Sequence, residues 1–124
     1  GKKQQGGPKE YWVKGHKILV GRNARQNDDL VRNSSRDDIW FHIRNYAGAH
    51  VVIVTDGRPD QVPGEVIKKA AQLAVLNSQA KRANKATVSY TQVKYVDKPK
   101  GAKPGLVQIT NEKTITVSPD EVIK

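Results

Sequence analysis

The stretch DDIWFHIRNYAGAHVV, residues 37–52, carries the reading of the whole chain. Asp38, Trp40, His42 and Arg44 fall at every second position, with Ile39, Phe41 and Ile43 between them. Successive side chains of a β-strand point to opposite faces, so this spacing sorts an apolar set onto one side and a polar-aromatic set onto the other. The expectation is a strand with one face in the core and the other turned to a partner. NYAGA, residues 45–49, breaks the strand, and HVVIVT, residues 50–55, resumes as the apolar β-branched run typical of buried strands.

Working outward, YWVKGHKILVG (11–21) places two β-prone runs around a Lys14-Gly15 turn, a hairpin pattern. RNARQNDDLVRN (22–33) has only Leu30 and Val31 as large apolar residues and fits either a short helix or an ordered loop. PGEVIKKAAQLAVLNSQAKRAN (63–84) is the one clear helix, expected over about residues 63–83. Pro63 suits its first turn, Glu65 the positive end of its dipole, and Lys81 and Arg82 the negative end. Its seam of Ile67, Ala70, Ala71, Ala74 and Ser78 is narrow, which suits close packing across a sheet. KATVSYTQVKYV (85–96) alternates as a strand with one wet face, DKPKGAKPG (97–105) is a basic loop, and LVQITNEKTITVS (106–118) reads as two strands around Asn111-Glu112. Residues 1–9 offer nothing to bury and read as a flexible basic tail or linker, leaving 10–124 as one domain. The sum is an α+β domain, six to eight short, mostly antiparallel strands packed with one long helix.

With 124 residues the chain is long enough for one modest core. It carries 22 Lys+Arg against 12 Asp+Glu, a formal net charge of +10, and polyanions are the obvious partners for that imbalance. Lys81, Arg82, Lys85, Lys94, Lys98, Lys100 and Lys103 are opposed only by Asp97, whereas the arginines from Arg22 to Arg58 are interleaved with Asp28, Asp29, Asp37, Asp38 and Asp56. Lysine suits phosphate contact and arginine adds bidentate and stacking capability, so the two regions are expected to do different jobs. Cysteine is absent, which removes disulfides and thiolate metal sites. No apolar run is long enough to span a bilayer, and a cytoplasmic protein is the default expectation. Methionine is also absent, so the sequence reads either as lacking a removed initiator or as a piece of a longer protein.

Little in the pattern points to catalysis. His16, His42 and His50 form no compact ligand set with carboxylates, so no metal or cofactor is expected. Asp38 and His42 share a strand face but stand roughly 13 Å apart along it, too far for a direct dyad. Nucleophile elbow, Walker loop and dinucleotide fingerprint are all missing. Trp40 by itself reads readily as core. Beside His42 and Arg44 on one face, it also fits a surface that stacks on unpaired bases.

Four separated blocks, ILVGRNARQNDDL, DIWFHIRNYAGAHVVI, AAQLAVLNSQAK and VSYTQVKYVDKPKGAKPGLVQITNEKTITVSPD, together resemble the NFACT-R domain. That domain is the C-terminal module of the NFACT ribosome quality-control proteins, once described as fibronectin-binding proteins. Gly21, Arg22, Asn23, Asn27 and Asp28 match the family's glycine-arginine-asparagine and asparagine-aspartate signature. Asp38, Trp40, Phe41 and His42 match its aspartate-x-tryptophan-phenylalanine-histidine block, and Gly48 and His50 its glycine-x-histidine turn. Ala47 and Ala49 stand where the family often has proline and serine, which disfavours a reactive hydroxyl at the turn. The resemblance implies a ribosome-associated RNA-binding role, with tRNA or large-subunit rRNA as partner, in proteins that direct C-terminal tailing of stalled chains.

The resulting expectation is a non-enzymatic RNA-binding module with no small-molecule substrate and no membrane partner. Arg22, Asn23, Asn27, Asp38, Trp40, His42, Arg44 and His50 supply recognition, and Lys81, Arg82, Lys85, Lys98, Lys100 and Lys103 track phosphates. Two rivals stand beside it. One is an RNA-processing or RNA-modifying enzyme using Asp38, His42 and His50, and the other a protein-interaction or adhesion module.

Overall fold

A computed structural model describes residues 6–119. The expected tail lies outside the described residues over its first five positions, and its last residue, Lys9, opens the first strand. Eight strands and two α-helices follow: β1 (Lys9–Val13), β2 (His16–Val20), α1 (Ala24–Asn33), β3 (Ile39–Ile43), β4 (Val51–Ile53), α2 (Gly64–Leu76), β5 (Ala86–Gln92), β6 (Val96–Asp97), β7 (Gln108–Ile109) and β8 (Lys113–Val117). Six strands form one antiparallel sheet in the order β1-β2-β4-β3-β5-β8, and β6 pairs with β7 apart from it. The Lys14-Gly15 turn joins β1 to β2 with both residues at positive φ, 50° and 79°. The strands flanking Asn111-Glu112 are not a hairpin: β7 pairs with β6, and β8 with β5.

The alternation of β3 sorts its side chains as the spacing predicts, but both faces are covered. Ile39, Phe41 and Ile43 join Ile18, Val20, Val51, Ile53 and Val88 beneath α2 in the larger core. Trp40, on the other face, packs with Val52, with Leu30 of α1 and with Val93 in a second, smaller cluster completed by Val107 and Ile109. At 3% exposure Trp40 is core, which corrects its expected place on an open recognition face. The cover is α1 together with the chain from Val93 to Ile109, hereafter the strap. The sheet is thus the middle of three layers.

The structure also corrects the expectation of a single long helix. Residues 22–33 contain α1, whose N-cap Asn23 accepts from the Gln26 amide at 2.9 Å while Gln26 Oε1 accepts from the Arg22 amide at 2.8 Å. These bonds satisfy backbone donors that a short helix leaves open. The second helix ends at Leu76, not near residue 83. There Asn77 Nδ2 donates to Leu73 O (2.8 Å) and Ser78 Oγ donates to Val75 O (2.7 Å), turning the chain out of the helix. Its buried face of Val66, Ala70, Ala71, Leu73, Ala74 and Val75 is mostly small, which allows close approach to the sheet.

Because Trp40 fills the smaller core, Trp40→Ala is expected to lower the unfolding free energy by about 3–5 kcal/mol, the usual cost of emptying a buried aromatic site. Urea unfolding measures it; a loss below about 1 kcal/mol would place the indole at the surface after all.

Candidate nucleic-acid interface

Three separated segments meet at one end of the sheet. The turn from β2 into α1 supplies Gly21, Arg22, Asn23 and Asn27; the β3–β4 loop supplies Ala47, Gly48 and Ala49; and the strap supplies Lys103 to Leu106. Between them lies a cleft of about 740 Å³, with His42 in its wall and Lys9 and Asn77 at its edge. A smaller chamber of about 220 Å³, lined by Trp40, His42, His50 and the strap, adjoins it through His42, Gly105 and Leu106.

A set of buried polar bonds holds these segments in place. Asn27 Oδ1 accepts from the His50 amide at 3.1 Å, binding α1 to the start of β4. Gly21 lies so close that a Cβ there would stand 2.1 Å from that same oxygen, and its own amide donates to His50 O at 3.0 Å. Asp28 Oδ1 accepts from the Gly105 amide at 2.9 Å, and Lys98 pairs with the same carboxylate at 3.2 Å. His50 Nε2 lies 3.0 Å from Gly105 O. A carbonyl only accepts, so Nε2 carries the proton and Nδ1 of the neutral ring is left as an acceptor. The Gly105 residue is therefore gripped through both its amide and its carbonyl. Gly48 is equally constrained, since a Cβ would fall 2.7 Å from Ser78 Cβ where the loop bridges the end of α2.

The rings of the site are ordered by one another. Trp40 and His42 stack with centroids 6.0 Å apart, and His50 stands edge-on to both, at 5.3 Å and 5.4 Å. Trp40 Nε1 and His50 Nδ1, one donor and one acceptor, are buried without a hydrogen-bond partner among the described residues. Burial lowers the His42 pKa, against opposing bonds to the Ile43 and Gly48 backbone. Burial, together with His42, pushes His50 down to about 4. Burial raises the Asp28 carboxyl, but the Gly105 amide and Lys98 outweigh it and hold the pKa below its usual value.

The expected site residues divide accordingly. Arg22, Asn23, Asn27, His42 and Lys103 line the cleft. Arg22 is exposed at its mouth, with Nε donating to Gly7 O at 3.0 Å, and Asn23 caps α1. Trp40 and His50 are buried outside the cleft lining, and Asn27, though it lines the cleft, is buried with its Oδ1 taken by the His50 amide, a correction to their expected place on an open recognition face. Asp38 is likewise buried, its carboxylate accepting from the Ser35 amide and from the Thr55 amide, each at 2.9 Å, so it serves as a loop anchor. Lys98 is engaged with Asp28 and Lys103 O, while Lys100 is exposed on the strap. Arg44, Lys81, Arg82 and Lys85 fall outside the cleft, beyond the β3–β4 loop. Among the described residues no group of three or more His, Cys, Asp or Glu is placed to hold a metal ion.

Two exposed or cleft-edge residues near the loop have no place in the sequence reading. Lys9, which reads as tail, reaches Asn77 Oδ1 at 2.8 Å beside the cleft. Tyr46 is 53% exposed on the β3–β4 loop, and its only sequence signal is an aromatic in a polar turn.

The depressed His50 pKa links the grip on Gly105 to pH. The unfolded chain, with His near 6.5, binds more protons than the folded one between about pH 6.5 and 4, so His50 stabilises the fold fully above that window and loses up to about 3 kcal/mol across it. His42 acts in the same direction, and Asp28 adds its loss only at lower pH. Urea midpoints near neutrality and near the bottom of the window should differ less in His50→Gln than in the parent; equal differences would show that His50 does not carry the effect.

Residues 11–111 match the family described as the NFACT protein RNA binding domain. The chain is 44% identical over 104 residues to the Rqc2 homolog RqcH of Bacillus subtilis and 42% over 105 residues to that of Streptococcus pneumoniae, spanning 83% of this chain and 18% of each relative. It is 28% identical over 103 residues to coiled-coil domain-containing protein 25 of Mus musculus, covering 81% of this chain and half of that protein. The solved C-terminal part of the fibronectin/fibrinogen-binding protein from Streptococcus suis superposes with a TM-score of 0.88 at 35% identity, over 98% of this chain and 49% of the other. The chain thus spans less than a fifth of the length of its bacterial relatives, and with a family match running through the hairpin, both helices and the strap, it belongs to the NFACT RNA-binding domain family.

Proposed function

We propose that this domain is a non-enzymatic RNA-binding module of a ribosome quality-control factor, and that it takes tRNA or large-subunit rRNA in the cleft between α1, the β3–β4 loop and the strap. The observation that carries the reading is the charge and dipole arrangement of that cleft. Arg22, Lys9 and Lys103 border it, and the N-terminus of α1 lies against it at Asn23 and Ala24. A helix N-terminus flanked by cations suits a phosphate, and the net charge of +10 supplies the wider attraction. His42 stays neutral at physiological pH and is available for a ribose or base contact. Lys81, Arg82, Lys85 and Lys100, all exposed, extend the backbone track, whereas Lys98 braces Asp28 and is no phosphate contact in this reading. Support for RNA over other polyanions comes from the family description, and for a quality-control factor from the similarity to the bacterial Rqc2 homologs RqcH.

The enzyme reading has little to work with. Asp38 lines neither the cleft nor the chamber and is saturated by Thr55 and Ser35. A protein partner is favoured by one observation, the fibronectin/fibrinogen-binding name of the Streptococcus suis relative.

A salt titration of binding to tRNA and to a duplex DNA of equal charge tests the reading. Tighter binding to tRNA that persists to about 200 mM salt is expected; equal collapse for both would reduce the domain to a generic basic surface, and salt-indifferent binding to protein alone would favour the adhesion alternative. Arg22→Gln with Lys103→Gln should flatten the slope of log affinity against log salt by about 0.7–0.9 per lost phosphate contact, while an unchanged slope removes the cleft from the phosphate path.

A further inference from the structure

On the far side of the β3–β4 loop from the cleft lies a separate groove. Its lining comprises Arg44, Asn45, Tyr46, Lys85, a floor of Ala80, Ala83 and Ala86, and Thr87 with Thr116, enclosing about 420 Å³. The floor is small and mildly polar, with the two threonine hydroxyls hydrogen-bonded to each other at 2.9 Å. Tyr46 is one of three large hydrophobic side chains exposed among the described residues. Its loop is nonetheless pinned on both sides: the Arg44 amide donates to Thr87 O at 2.9 Å, the Gln79 amide to Ala47 O at 3.0 Å, and the Ala49 amide to Asn77 O at 3.0 Å. Asn45 takes positive φ, 67°, to make the turn that lifts Tyr46 outward.

Cations line and flank this groove. Arg44 and Lys85 line the groove, and Lys81 and Arg82 are exposed in the segment between its lining residues Ala80 and Ala83. The acidic group facing the set is Glu112, which lies 3.6 Å from Arg44 Nε and accepts from Ser89 Oγ. An exposed aromatic on a loop pinned by backbone hydrogen bonds, beside basic side chains, is the chemistry that receives the face of an unpaired base with its phosphates outside.

We propose that this groove is a second RNA contact, in which one unpaired base of a single-stranded segment stacks on Tyr46 while Lys85, Lys81 and Arg82 hold the adjoining backbone. The inference rests on the RNA-binding reading above and adds single-strand selectivity to it. A duplex keeps its base faces inside the stack and cannot use Tyr46 in this way. The β3–β4 loop then separates two subsites, phosphate and ribose contacts at the cleft and base stacking at the groove. It places the stacking role, expected for Trp40, on an aromatic four positions before His50.

Fluorescence anisotropy with an oligouridylate and a blunt RNA duplex of equal charge tests this on the parent domain, Tyr46→Ala and Tyr46→Phe. Tyr46→Ala should weaken oligouridylate binding by about fivefold or more, the low end of removing one stacked base, and leave duplex binding unchanged, while Tyr46→Phe keeps parental affinity. Equal losses for both RNAs, or none, would overturn the stacking site while leaving the RNA-binding reading intact. Failure of the parent to bind either RNA would overturn that reading, and this inference with it. Tyr46 is exposed, so both variants are expected to fold as the parent does, and a thermal melt of each checks it.

Discussion

Everything at the candidate interface depends on the two-sided grip on Gly105. Asp28 takes its amide and His50 donates to its carbonyl, and both of those residues are themselves fixed by α1 and by the Asn27 bond to the start of β4. The grip joins residues far apart in the chain, 77 positions in one case and 55 in the other. It fixes the strap over the second face of the sheet, and so creates both the cover on Trp40 and the wall of the cleft. Partly buried polar bonds of this kind add little net stability when made and cost more when broken, because a stranded donor or acceptor keeps part of its desolvation penalty. Their value here is specificity of placement.

The same constraint accounts for residues that otherwise look like binding groups. Asn27, Asp28, Asp38 and His50 are polar and sit in tightly defined motifs, yet each commits at least one side-chain atom to a backbone group of a neighbouring segment. What they leave to a ligand is the rim they shape: Arg22, Lys9, Lys103, the start of α1 and one face of His42. The chamber behind the rim keeps an indole N–H and an imidazole nitrogen unpaired, a cost carried by the aromatic packing of Trp40, His42 and His50.

Much of the architecture was legible in the sequence. The period of two in residues 38–44 separated the two faces of β3 correctly, and the small-residue seam of α2 announced close packing against the sheet. A period tells two faces apart without telling what covers each, and the cover over Trp40 is made of scattered single residues, Leu30, Val93, Val107 and Ile109, that carry no period of their own. Helix α1 likewise lacks an apolar stripe; its signal was the Asn-x-x-Gln cap at Asn23 and Gln26. The end of α2 was overrun because Asn77 and Ser78 stop it through side-chain bonds to the preceding turn, while the residues beyond stay helix-prone. At the site, Arg22, Asn23 and Lys103 line the cleft while Trp40 and His50 lie buried beside it, and the sequence does not foretell that division, since a contact between Asp28 and Gly105 leaves no local mark in the chain.

The measurement that bears most directly on this account is a map of backbone amide shifts as a short RNA hairpin is titrated into the labelled domain. The account predicts that the largest changes fall on residues 22–24, on 47–49 and on 103–106, the three segments brought together by the Gly105 grip. Changes confined to the outer face of α2 or to the β1–β2 hairpin, with those three segments silent, would contradict it.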